Sequence, residues 1–238
     1  MGKVSAVAKP GACGVIMEIN ADFSKRVVVR PEDYEWTALP VPGIEWMVLD
    51  QMDGEEVHAT SIVRCQPGSR IDAHVHSGGE EFLVLEGVFS DESGDYPAGS
   101  YVRNPIGSSH APHTKEGCRI FVKLHQFAAG DTEQFSVDAR NASFIEGPAD
   151  GLTMLPLHSA SNENVILERW EPGARLVVHD HWGGEEVFVL EGTLQDEHGV
   201  YPAGTWIRNP HMWRHAPFSP EGCLVYVKTG HLGGEVSH

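Results

Sequence analysis

Residues 67–87 read Pro67-Gly-Ser-Arg-Ile-Asp-Ala-His74-Val-His76-Ser-Gly-Gly-Glu80-Glu-Phe-Leu-Val-Leu-Glu-Gly87. The same pattern returns 105 positions later as Pro172-Gly-Ala-Arg-Leu-Val-Val-His179-Asp-His181-Trp-Gly-Gly-Glu185-Glu-Val-Phe-Val-Leu-Glu-Gly192. That offset also carries Tyr96-Pro-Ala-Gly99 to Tyr201-Pro-Ala-Gly204, Arg103-Asn-Pro105 to Arg208-Asn-Pro210, His110 to His215 and Lys123 to Lys228. From Pro67 to Lys123 the two copies align without a gap. Two copies are too few for a solenoid, so the chain is read as a duplicated domain. Upstream, Gly43 and Leu49 match Gly151 and Leu157 at a slightly larger offset, which makes the loop over residues 50–56 longer than its partner over 159–163. The expected division is residues 1–130 for the first domain and 131–238 for the second. The polar stretch 130–141 is either a linker or the start of the second domain.

Short β-type runs bounded by turn residues fill both copies. Glu81–Glu86, Ser100–Arg103 and Arg119–Leu124 read as strands, as do Glu186–Glu191, Thr205–Arg208 and Leu224–Lys228. Turns fall at Pro67-Gly68, Gly78-Gly79, Ser93-Gly94, Pro97-Ala-Gly99 and Pro105-Ile-Gly107. Neither copy holds a long amphipathic helix pattern. Many short, evenly spaced strands predict an all-β chain of sandwich or jelly-roll barrels.

His74 and His76 stand two apart, so on a strand both rings leave the same face. Glu80 follows a Gly-Gly turn and can fold back to the same point, and His110 can reach it from another strand. The second copy offers His179, His181, Glu185 and His215 in the same way. Three imidazoles and a carboxylate suit zinc, iron(II), manganese or nickel. A lone histidine is usually a surface or core residue, but a set of four repeated at one offset predicts two metal sites. Glu81 and Glu186 are second choices, because on a strand they face away from Glu80 and Glu185. His113 lies near His110, but its counterpart is Phe218, so it is expected to be a wall or surface residue. His58, His125, His158, His198, His231 and His238 have no partner in the other copy and are read as structural or exposed. Arg103 and Arg208 are either pocket cations for an anionic substrate or charge partners for a nearby carboxylate, with a lean to the second.

Composition bounds the rest. The chain has 238 residues, 41% of them hydrophobic, enough for packed cores. No run of about 18 apolar residues could span a membrane. Met1 to Asn20 lack the pattern of a secretory signal, and Ala6 breaks a myristoylation motif. A formal net charge of −17 repels phosphate backbones and anionic lipids, so neither nucleic acid nor membrane is an expected partner. Cys13, Cys65, Cys118 and Cys223 form no CxxC pair and are too few for a disulfide framework. The expected compartment is a reducing cytoplasm.

At this point the residues resemble a known family. Gly68, His74, His76, Glu80 and Gly87 have the spacing of the first cupin motif, repeated at Gly173, His179, His181, Glu185 and Gly192. Gly99, Pro105, Gly107 and His110 match the second motif. Two departures occur: Thr114 and Ser219 stand where that motif often ends in Asn, and Met212 replaces the Gly of Pro-x-Gly in the second copy. The phrases Gly78–Gly87, Ser90-Asp-Glu-Ser-Gly94, Arg103-Asn-Pro105 and Glu116-Gly-Cys118 resemble the ChrR-type cupins, named for a zinc-binding anti-sigma factor. The resemblance covers about Val28 to Lys228. It implies two tandem cupin barrels with His74, His76, Glu80 and His110 as metal ligands in one and His179, His181, Glu185 and His215 in the other. Zinc is the leading metal and iron(II) the next. The N-terminal helical zinc domain with which that anti-sigma factor grips its partner has no counterpart motif in residues 1–27. Pairing through barrel faces, common among cupins, makes a homodimer an expectation.

Two functions follow from the resemblance. One is a dioxygenase-like metalloenzyme acting on a small organic molecule. The other is a zinc-binding sensor or regulator without turnover. The flanks of the two sites differ: Ser77, Ile106, Gly107, Ser108 and His113 in the first, Trp182, His211, Met212, Trp213 and Phe218 in the second. They predict a narrower and more aromatic second pocket.

Overall fold

Alternation builds the fold. Along the strand Glu80–Asp91, Phe82 and Val84 join an apolar cluster with Phe89, Val102, Ile120 and Val122. Along Glu185–Asp196, Val187, Val189 and Leu194 join Trp170, Ile207, Val225 and Val227 in the matching cluster. A period of two is all that a strand needs to aim one set of side chains inward. The computed structural model describes residues 18–52, 58–128, 130–160 and 163–233. Among these residues the only helical turn is the 3-10 turn Pro31–Asp33, and everything else regular is β.

Two compact units result. The first has an eight-stranded antiparallel sheet in the order Phe135–Asp138, Ser100–Asn104, Glu80–Asp91, Cys118–Leu124, His58–Cys65, Ile44–Met52 and Thr37–Ala38, with Gly94–Pro97 paired beside Glu80–Asp91. A two-stranded ribbon, His74–Val75 with Ser109–His110, completes it. The second has the same plan: Val27–Val29, Trp206–Asn209, Glu185–Asp196, Cys223–Thr229, Glu163–Trp170, Leu152–Ala160 and Ile145–Glu146, with Gly199–Pro202 beside Glu185–Asp196. Its ribbon pairs His179–Asp180 with Arg214–His215. These are the two jelly-roll barrels the strand pattern predicts. Each predicted strand is found, five of them longer by one to six residues and the sixth, Trp206–Asn209, shifted by one.

The division between the units differs from the expected cut between 130 and 131. The first unit takes Glu35–Asn141, and the second takes Asp22–Tyr34 with the chain after Asn141. Backbone pairing explains it. Phe135–Asp138 satisfies the free edge of Ser100–Asn104, and the β-branched run Val27-Val-Val29 satisfies the free edge of Trp206–Asn209. The stretch 130–141 thus ends the first barrel instead of linking to the second. The longer loop expected over 50–56 lies largely outside the described residues.

The duplication extends to irregularities. Leu85 and Leu190 are each the extra residue of a bulge in the long strand, and so are Leu49 and Leu157 near the start of each barrel. Gly87 and Gly192 end the first motif at φ 69° and 70°, where a Cβ would lie 2.1 Å from the carbonyl oxygens of Gly117 and Gly222. Only glycine fits there. The Pro-x-Gly turn survives its missing glycine: Met212 adopts φ 61° and donates its N–H to His181, as Gly107 at φ 86° does to His76.

Candidate metal centre

In each barrel the ribbon and the start of the long strand meet. His74 pairs directly across the ribbon with His110, and His179 with His215. His76 and His181 follow two residues on, on the same face. The three rings of the first site lie with centroids 4.7 to 5.0 Å apart. Those of the second lie 4.7 to 5.1 Å apart. In each triad the nitrogens lie within 4.8 Å of one another.

Glu80 sits with its Oε2 3.5 Å from Nε2 of both His76 and His110. Glu185 lies 3.3 Å from His181 Nε2 and 3.6 Å from His215 Nε2, and those two Nε2 atoms are 3.0 Å apart. Ligands about 2.1 Å from a shared ion stand roughly 3.0 Å apart at right angles and roughly 3.4 Å apart in a tetrahedron. The observed spacings, 3.0 to 3.6 Å, start within that range and exceed it by no more than about 0.2 Å. Glu81 and Glu186 do not join either cluster. Glu81 accepts from Arg103 and Tyr101, each at 2.7 Å, and Glu186 accepts from Trp206 at 3.0 Å and contacts His231 at 2.6 Å.

The outer contacts fix which nitrogen faces inward. Nδ1 of His74 is 3.0 Å from the Asp72 carbonyl, and Nδ1 of His179 is 2.9 Å from that of Val177. Nδ1 of His110 is 3.2 Å from Asp91, and Nδ1 of His215 is 3.5 Å from Asp196. An N–H donated outward leaves the Nε2 lone pair for the centre. Asn104 donates to Glu80 Oε2 at 3.0 Å and Asn209 to Glu185 Oε2 at 2.8 Å, holding each carboxylate. Sequence reasoning gave no role to Asn104, Asn209, Asp91 or Asp196. Their signal was recurrence, in Arg-Asn-Pro and in the Asp-Glu turn.

The donors fit a divalent metal. Nε2 of His76 and of His110 is buried with no hydrogen-bond partner, an arrangement that costs stability unless something else fills the coordination. Burial holds His76 and His181 below the ordinary imidazole value, against the opposing pull of Glu80 and Glu185. A neutral ring is the form that binds a metal. Burial acts on His215 in the same sense, but Asp196 and Glu185 outweigh it and raise that ring.

The other sequence candidates lie elsewhere. His113 lines a separate hollow with Phe89, Cys65 and Cys118. Its backbone bridges Arg70 and Ser90, as that of Phe218 bridges Arg175 and Gln195. Arg103 is 1% exposed and pairs with Glu81 and Asp131, which makes it a charge partner and not a pocket cation. Arg208 lies over the Phe23 ring and donates to the Asp22 carbonyl.

The expected narrow, aromatic second pocket is not what forms. Trp182 is 71% exposed and meets the His211 ring edge to face. Met212 is also exposed, because both residues lie on turns outside the barrel wall. The second site opens on a cavity of about 80 Å³, lined by the histidines, Glu185 and mostly aliphatic side chains. Trp170 is its one aromatic wall residue, and Glu168 lies in the same wall. Burial raises the Glu168 carboxyl to about 7, with the Glu185 charge adding to the effect and a hydrogen bond from Trp170 at 3.1 Å opposing it. In the first barrel the inner positions equivalent to Val187 and Leu194 hold Phe82 and Phe89, whose rings lie 4.6 Å apart. Phe89 also lies 5.8 Å from the His110 ring. The aromatic interior belongs to the first site.

Among solved structures, a proposed dioxygenase from Nostoc punctiforme superposes with a TM-score of 0.73 at 13% identity, covering 90% of this chain and 85% of its own. Protein Ylba from E. coli gives 0.69 at 16% identity, with 90% and 95% covered. The oxalate decarboxylase of Bacillus subtilis, described with Mn(II) centers, gives 0.60 at 13% identity, with 96% and 88% covered. At such identities the likeness shows the fold alone. No curated protein matches the sequence. The ChrR cupin-like domain does match, twice, over residues 24–128 and 132–233. Both barrels are thereby accounted for, and the chain belongs to the ChrR cupin-like family.

Proposed function

We propose that the protein is a metal-dependent enzyme of the oxygenase type acting on a small organic molecule in a reducing cytoplasm. His74, His76, Glu80 and His110 hold one divalent metal, and His179, His181, Glu185 and His215 hold the other. The observation that carries this reading is the cavity that opens directly onto the second set of donors, with room for a small ligand beside them. Held by these donors, a redox-active metal such as iron(II) would supply dioxygen chemistry to a ligand in the cavity. The chain's part is to hold that centre: Asn209 fixes Glu185, Asp196 and the Val177 carbonyl fix the rings of His215 and His179, and the aliphatic wall excludes water.

A second reading, a zinc-binding sensor without turnover, draws on the family itself and on the first site, whose flank is filled by Phe82 and Phe89. Oxygen uptake separates the two. The iron(II)-loaded protein is expected to consume oxygen with at least one diketone or related carbonyl compound. Stoichiometric iron with no uptake across such a panel would favour the sensor.

A further inference from the structure

The two barrels share their metal-side residues but not their interiors. On the strand Glu163–Trp170, Ile166, Glu168 and Trp170 all line the second cavity. The equivalent positions of the first barrel carry Ser61, Val63 and Cys65. Glu168 and Trp170 therefore arrive together. Trp170 donates its Nε1–H to Glu168 Oε2, and the other oxygen of Glu168 has no hydrogen-bond partner among the described residues. A carboxyl group facing an aliphatic chamber costs stability that Val63 avoids. Packing alone gives no reason to place one there. No Lys or Arg is among the residues that line the cavity.

From this we infer that the second barrel alone is the ligand chamber and that Glu168 is its specificity-determining residue. The ligand class is an uncharged, largely apolar molecule with a chelating oxygen at one end and an O–H or N–H at the other. The chelating end faces His179, His181, Glu185 and His215. The polar end is recognised by the free oxygen of Glu168, and Trp170 holds the carboxyl in place. A ligand whose far end is anionic is disfavoured, because no Lys or Arg lines the cavity to balance that charge. In the first barrel Phe82 and Phe89 stand where Val187 and Leu194 line the second cavity, with their rings 4.6 Å apart. The inference rests on the metal-binding reading above.

The test uses the full chain loaded with cobalt(II), whose visible spectrum reports ligands on the metal. Kojic acid, an uncharged hydroxypyranone with a hydroxymethyl group opposite its chelating oxygens, is the probe, and oxalate is the contrast. Kojic acid is expected to perturb one cobalt per chain, and oxalate to bind about tenfold more weakly or not at all. Leu194→Phe, which copies Phe89, should abolish the kojic acid response while both cobalts stay bound. Glu168→Gln and Glu168→Val should each lower the preference for kojic acid over oxalate about tenfold or more. The inference is overturned if kojic acid perturbs both cobalts alike, or if these variants leave the preference unchanged. Failure to bind cobalt at all would overturn the metal-binding reading as well, whereas two bound cobalts with no discrimination would overturn this inference alone.

Discussion

A carboxyl group among valines and leucines is held at a cost, and Glu168 makes that cost measurable. Without metal, its folded-state value is raised from 4.5 to about 7, so the folded chain binds that proton more tightly than the unfolded chain. The penalty is absent below the unfolded value, grows as pH rises, and is complete above the folded value. Metal-free Glu168→Gln should therefore be more stable than the parent by about 2 kcal/mol at alkaline pH, with the difference vanishing towards about pH 4. Urea unfolding at a series of pH values measures this, and a difference independent of pH would contradict it. Asn104 and Asn209 act on the centre through the carboxylates they hold. Changing either to Ala should weaken metal binding at its own site by about 10- to 100-fold in chelator competition, with the other site unaffected. That the eight candidate donors would come together was legible in the sequence, because a strand places i and i+2 on one face and the repeat supplied a second copy. The asparagines were not, since their role depends on the cross-strand register that sets Asn104 opposite Glu80 and Asn209 opposite Glu185. Glu168 was hidden because its counterpart is Val63, and a repeat highlights what recurs.

At the scale of elements, bulges, ribbons and turns aim these side chains. The turn before His215 keeps its shape although Met212 stands in the left-handed region that Gly107 occupies freely. The strain of that turn falls on Met212. That conformation costs a residue with a Cβ about 1–2 kcal/mol, partly offset by the greater entropy glycine has in the unfolded chain. Met212→Gly should thus stabilise the protein by about 0.5–1 kcal/mol, read from a thermal or urea midpoint, since the side chain is about half exposed and loses limited packing. Destabilisation would show that the methionine side chain packs at the rim. Strand positions were readable from alternation and turn residues. The openness of each site was not, because it depends on inward residues such as Phe82, Phe89, Val187 and Leu194, which are distant in sequence from the histidines they flank.

For the whole molecule, duplication fixed two barrels and the repeat offset located both, yet the edge strand that each flanking segment joins was not legible in the sequence. The repeat aligns the residues of each centre but says nothing about which edge strand a flanking segment will join. Val27–Val29 and Phe135–Asp138 each close the sheet of their own unit, and that choice is made by backbone hydrogen bonding. The duplication has kept the candidate donors in both copies and let the interiors diverge, with Phe82 and Phe89 in one where Val187 and Leu194 stand in the other, and Glu168 in the second where Val63 stands in the first. All of this depends on both centres holding metal. The direct test is elemental analysis of metal per chain, on protein purified anaerobically without chelators or a metal-affinity tag. The account predicts about two divalent ions per chain, falling to about one in either His76→Ala or His181→Ala. Stoichiometric absence of metal in the parent protein, under conditions where it stays folded, would contradict it.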